Sequence, residues 1–142
     1  MRSPLLIPLF AVLLFLASCK PEFEPISYGH DACTHCKMTI MDKRYAAEIL
    51  TKKGKVYKFD DIACLKKYIQ EENMPEADLT VFVADYNNPD SKFLDARQVV
   101  YLHSEIFKSP MNGNFAAFAT AEKTSSLKDS LHTDILKWEN LN

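Results

Sequence analysis

Between residues 45 and 84, apolar and polar positions change their period in an order that predicts two strands, a helix and a third strand. Tyr45–Thr51 and Val56–Phe59 carry β-branched and aromatic residues interleaved with polar ones. Lys52-Lys53-Gly54-Lys55 between them supplies the glycine of a hairpin turn. Ile62, Leu65, Tyr68 and Ile69 then recur at helical spacing, with Asp60-Asp61 placed to cap the first turn. Asn73-Met74-Pro75 ends that helix, and Leu79–Ala84 reads as a strand.

The second half repeats the order. Gln98–His103 and Asn114–Ala119 read as strands joined by a longer loop containing Pro110-Met111-Asn112-Gly113. Thr120 or Thr124 can cap a helix running to Leu131, and Ile135–Trp138 can form a last short strand. A single helix from Thr124 to Trp138 also fits, because Leu127, Leu131, Ile135 and Trp138 keep helical spacing. The match to the first half favours helix, turn and strand. The fold class expected is α+β, two small strand-strand-helix-strand units packed together, spanning about 31–85 and 96–142. The halves share this pattern with negligible sequence identity.

The front of the chain is different. Arg2 precedes the apolar run Leu5–Ala17, and Leu16-Ala17-Ser18-Cys19 follows. Such a run is short of the ~20 residues a membrane span needs. A positive start, an apolar middle and a small-residue exit make a secretory signal, residues 1–18. Leu-Ala-Ser-Cys has the form of a bacterial lipobox, with cleavage before Cys19 and a lipid on its thiol. Residues 19–30 then form a lipidated tether, and 31–142 the folded domain. Each buried methylene contributes ~0.8 kcal/mol, so several acyl chains on Cys19 would anchor the protein stably. The expected location is a bacterial membrane, facing the periplasm or cell exterior. An ordinary signal peptide with a chance cysteine is the plainer alternative.

The formal net charge is −2. Lysines and glutamates are mixed and no long basic run occurs, so nucleic acid is not an expected partner. With Cys19 committed to lipid, Cys33, Cys36 and Cys64 remain. An odd number cannot all be paired within the chain, and a free thiol outside the cytoplasm is open to oxidation. A bound metal would protect it.

Cys33-Thr34-His35-Cys36-Lys37-Met38 carries the candidate chemistry. A thiolate beside a neutral thioether is a donor set that selects Cu(I), since Zn(II) seldom accepts thioether. If Cys36–Ile40 is extended, Cys36 and Met38 point to one side. Met111, in a loop with no obvious core to fill, is the candidate third ligand. Cys33 and Cys64 are further thiols able to replace it or to accept the ion in passing. His30 and His35 flank the motif as less probable donors, while His103 and His132 read as structural. Carboxylates are hard, which makes Asp60 and Asp61 helix caps rather than ligands of a soft ion.

Taken together, the lipobox at Cys19, Cys36-Lys37-Met38, Gly54 through Phe59-Asp60-Asp61, and Pro110-Met111 followed by Asn114–Ala119 resemble the NosL-type copper lipoproteins, accessory proteins of nitrous oxide reductase. The resemblance covers essentially all of the chain after residue 18. It implies one Cu(I) held by Cys36, Met38 and Met111, a fold of two related strand-strand-helix-strand units, and no enzymatic activity. It also implies delivery of copper to a recipient cuproenzyme or its assembly complex, with nitrous oxide reductase as the client. Cys33 and Cys64 are additions to that minimal pattern.

Two other uses of the thiols compete. A structural zinc site would draw on Cys33, Cys36, Cys64 and a histidine, but lacks a second paired motif and leaves Met38 unused. A thiol-disulfide redox protein would place Cys33-x-x-Cys36 at the start of a helix after a strand. Here a loop-like stretch precedes it and little helical patterning follows.

Overall fold

The computed structural model describes residues 22–141. The apolar run, Cys19 and the cleavage point proposed beside it lie outside the described residues. Among the described residues, no helix is long and apolar enough to cross a membrane.

The first unit is a four-stranded antiparallel sheet with one helix. β1 (Ala47–Thr51) and β2 (Val56–Phe59) form the expected hairpin; α1 (Ile62–Glu71) follows, then β3 (Leu79–Val83) and β4 (Leu94–Asp95). The strand order is β2-β1-β3-β4. β1 is central, with Ile49 opposite both Tyr57 and Val81. Ala47, Ile49, Val81, Val83 and Phe59 are buried in the same core as Ile62, Leu65 and Ile69 of α1. Tyr45 is not part of β1. It lies in a 3-10 turn, Lys43–Tyr45, and its hydroxyl donates to the Phe107 carbonyl in the other half of the chain. β4 was not expected: two residues are too few to show a period.

The second unit repeats the plan with less sheet. β5 (Val100–His103) pairs antiparallel with β6 (Phe115–Phe118), and α2 (Ser125–Leu131) follows. The third strand is reduced to one bridge, in which Tyr101 and Leu136 exchange two backbone hydrogen bonds of 2.8 and 2.9 Å. β5 is therefore central here as β1 is in the first unit. A continuous helix to Trp138 does not form, because His132 takes a left-handed conformation (φ 49°) that closes α2.

The period of two along β5 and β6 joins the units. Tyr101, Phe115 and Ala117 face the core of the first unit. Val100, Leu102, Ala116 and Phe118 form a second core, against which Leu127 and Leu131 of α2 pack. The chain end returns to the first unit: Trp138 is buried there, and its indole N–H donates to Glu76 at 2.8 Å.

Residues 22–28 pack more closely than a tether would. Phe23 stacks on Phe82 and Phe93, Ile26 is buried, and the Glu24 backbone N–H donates to the buried Glu48 carboxylate at 2.9 Å. Lys58 ties this segment down through Glu24, the Pro25 carbonyl and Asp31. The folded body thus begins before residue 31.

Candidate metal centre

Two stretches of chain build the site. The first is a tight turn from Cys33 to Met38, laid along the free edge of β2. Cys33 N–H donates to the Met38 carbonyl (2.8 Å), Lys37 N–H donates to the Cys33 carbonyl (3.0 Å), and Thr34 N–H donates to the Lys58 carbonyl of β2 (2.7 Å). Lys37 has φ 66°, so the expected extended run from Cys36 to Ile40 is interrupted between the cysteine and the methionine. Alternation therefore does not place Cys36 and Met38 on one side. Cys36 turns toward the protein, and Met38 is 51% exposed. The second stretch is the junction of β2 and α1. It carries Asp60 just before the helix cap and Cys64 in the first turn.

These stretches bring Cys33, Cys36, Asp60 and Cys64 together, with one ligand atom of each within 4.8 Å of all the others. Cys33, Asp60 and Cys64 are buried, and Cys36 stands at the boundary with solvent. All three cysteines are free thiols. The Cys36 thiol reaches the Asp60 carboxylate at 3.4 and 3.6 Å. An ion with metal–sulfur bonds of about 2.3 Å would hold sulfurs about 4 Å apart. The cluster needs only a small contraction to close on one.

Of the three thiols, one is made more acidic and the other two less. The Cys33 thiol is lowered to about 6, chiefly by the hydrogen bond Cys64 donates to it, with help from the backbone N–H groups of Asp60 and Cys36. Cys64 is pushed up, first by that same bond, which ties its proton to Cys33, and then by burial. Cys36 is raised to about 11, first by burial and further by the charge on Cys33. The surroundings thus favour a thiolate on Cys33 over one on Cys36.

The loop carrying Met111 docks beside the cluster. Asp61 caps α1 through Oδ1, which accepts from Ala63 N–H at 2.8 Å, as the sequence predicts. Its Oδ2 accepts from the Ser109 hydroxyl (2.5 Å) and the Met111 backbone N–H (2.9 Å). Gly113 presses against the same helix end: a Cβ there would stand 2.3 Å from Ala63 Cβ and 2.8 Å from Asp61 Oδ1. Asn114 closes the loop, accepting from Ser109 N–H and donating its own N–H to Ser109 Oγ. Met111 is thereby held by its backbone against Asp61, with 38% of its surface exposed.

A family model for NosL matches residues 26–142. The chain belongs to the NosL family. The crystal structure of the copper chaperone NosL from Shewanella denitrificans is similar to it in fold, with a TM-score of 0.70, 16% identity, and coverage of 86% of this chain and 96% of that one. A comparison with curated proteins finds no match.

In this NosL-family chain, Cys33, Cys36 and Cys64 meet in one cluster, and the Met111 loop reaches the helix end that carries Cys64. Asp60 belongs to the cluster as well. Sequence reasoning assigned both aspartates to capping, but a helix has one N-cap, and Asp61 fills it. The spare carboxylate of an Asp-Asp pair, four residues before a cysteine, was the available signal. His30 is exposed, and His35 pairs with Glu71 at 3.0 Å; neither enters the cluster. Cys33-x-x-Cys36 stands in a turn ahead of β1 and does not open a helix.

Proposed function

We propose that this protein is a non-enzymatic carrier of Cu(I). Cys36 anchors the ion, Met38 and Met111 complete a three-sulfur set, and Cys33 and Cys64 stand behind it. The observation that carries this reading is the meeting of three free thiols at one buried edge, beside a loop that offers a solvent-facing thioether. One readily formed thiolate with otherwise neutral sulfur donors suits a soft monovalent cation. When the ion arrives, the charge moves from Cys33 to the thiolate that holds the metal, because coordination overcomes the burial that raises Cys36.

Release follows from the same geometry. Met38 and Met111 are neutral and exposed, so a partner's donor displaces a thioether first and the thiolate last. The carrier is held by lipid on Cys19 at a bacterial membrane, facing the periplasm or exterior. It passes copper to an exported cuproenzyme or its assembly complex, with nitrous oxide reductase as the client. Support for copper comes from the fold match to a copper chaperone; support for the anchor comes from the pattern around Cys19.

Zinc is the one competing reading that an observation favours: three cysteines and Asp60 would make a tetrahedral sulfur and oxygen set. Anaerobic titration of the full chain with Cu(I) and, separately, Zn(II) decides. The copper reading expects one tight Cu(I), lost in Cys36→Ala and weakened less in Met111→Ala. Equal losses in those two variants would overturn the assigned roles. Tight Zn(II) lost equally in Cys33, Cys36, Cys64 and Asp60 variants would establish zinc instead.

A further inference from the structure

The Cu(I) set proposed above uses one thiol of three and no carboxylate. Cys33 and Cys64 are both fully buried, are adjacent, and are not needed by that set. Asp60 is also buried, and its oxygen lies within 4.8 Å of every sulfur in the cluster. A hard carboxylate has little to offer a cuprous ion. It does suit a cupric one, which binds oxygen and nitrogen donors well. The arrangement thus offers the oxidised metal an oxygen ligand beside two thiols that can supply electrons.

We infer that this protein reduces Cu(II) as it captures it, with Cys33 and Cys64 as the electron donors and Asp60 as the oxygen ligand of the cupric ion. The inference rests on the Cu(I)-carrier reading. Two cupric ions react in turn. Cys33 enters as the thiolate, the S–H bond of Cys64 breaks, and one S–S bond forms between the two sulfurs. One electron passes to each copper, giving two Cu(I), and the single proton from Cys64 goes to water. Cys36 keeps its thiol, so one Cu(I) remains on Cys36, Met38 and Met111 while the other leaves. A thiol reductant restores the dithiol for the next cycle.

The pairing follows from what the site must keep. A bond that included Cys36 would remove the anchoring sulfur. A bond between Cys33 and Cys64 leaves the proposed metal set intact and joins two sulfurs that already lie within 4.8 Å. Both stretches are held in place meanwhile, the turn by its bonds to β2 and the helix by its Asp61 cap.

The test uses the full chain carrying Cys19→Ala, so that three thiols remain, mixed with Cu(II) under argon. Free thiols, cuprous ion trapped by a bicinchoninate chelator, and the disulfide map are then measured. The expected result is two Cu(I) formed and two thiols lost per chain, with a Cys33–Cys64 bond within a monomer. Asp60→Asn should slow the reaction at least tenfold. Cys33→Ser and Cys64→Ser should each abolish the internal disulfide. Three intact thiols, a bond that includes Cys36, or disulfide-linked dimers would each overturn the inference. Because mapping is done on the parent chain, it does not depend on the variants folding. Failure of the carrier reading shows separately, as absence of one-to-one uptake when Cu(I) itself is supplied.

Discussion

Asp61 Oδ2 accepts a hydrogen bond from the backbone N–H of Met111 at 2.9 Å, across fifty positions of sequence. The same carboxylate caps α1 through its other oxygen. One side chain therefore fixes both the helix that carries Cys64 and the loop that carries Met111. Met111 is thereby registered against the helix end that carries Cys64.

Breaking that link should cost stability and metal affinity together. Asp61→Ala removes a helix cap, worth about 1 kcal/mol, and strips partners from the buried Ser109 and from Met111 N–H. A total loss of roughly 2–4 kcal/mol in chemical denaturation is expected. Gly113→Ala forces a methyl against Ala63 and should cost about 1–3 kcal/mol. Both should weaken Cu(I) in a competition titration; unchanged affinity in Gly113→Ala would show that the loop does not position a ligand.

The thiols should titrate in two separate steps in the metal-free protein. With Cys19→Ala in place, thiolate absorbance should rise by one equivalent near pH 6, from Cys33, and by a second only near pH 11, from Cys36. Cys64→Ala removes the donor that lowers Cys33, so the first step should move up. A first step that stays near pH 6 in that variant would mean the Cys64 hydrogen bond is not what holds the charge.

Glu48 should make the fold less stable as pH rises. It is fully buried, and its Oε2 has no hydrogen-bond partner among the described residues. Burial raises it to about 7, against the opposing pull of the Glu24 N–H and Lys58 and with added push from Glu24 and Asp31. Below the ordinary glutamate range both folded and unfolded chains are protonated there, and its full contribution is present. Between that range and pH 7 the unfolded chain ionises first, so stability falls by up to roughly 3 kcal/mol. Glu48→Gln should match the parent near pH 4 and exceed it at pH 8 in urea melts. Parallel curves for the two proteins would refute the assignment.

Trp138 is the single tryptophan, and it reports on the return of the chain end to the first unit. Glu76→Ala removes the acceptor of its indole N–H and also a carboxylate facing Lys66 and Arg97. A loss of about 1–2 kcal/mol and a changed tryptophan emission are expected. Unaltered emission with unaltered stability would show that this contact does not hold the C-terminal segment.

Strands and helices were legible wherever one face is buried, because burial imposes a period on the sequence. β1, β2, α1 and β3 show it, and so does the repeat of that order through β5, β6 and α2. The joints were not legible. Lys37 and His132 take left-handed conformations that no apolar pattern announces, and β4 is two residues long. In the candidate cluster, the thiols declared themselves by type, and Asp60 did not. A carboxylate before a helix looks like a cap until the structure shows that its neighbour already fills the role.

The order of residues alone determined which atoms are available to a soft ion, since donor chemistry belongs to the side chain wherever it sits. Only the tertiary structure decided that Cys33, Cys36, Asp60 and Cys64 come together, and that their surroundings favour a thiolate on Cys33. Such proximity depends on how a turn packs against β2 and on where α1 begins. The acidity of a thiol depends on what surrounds it.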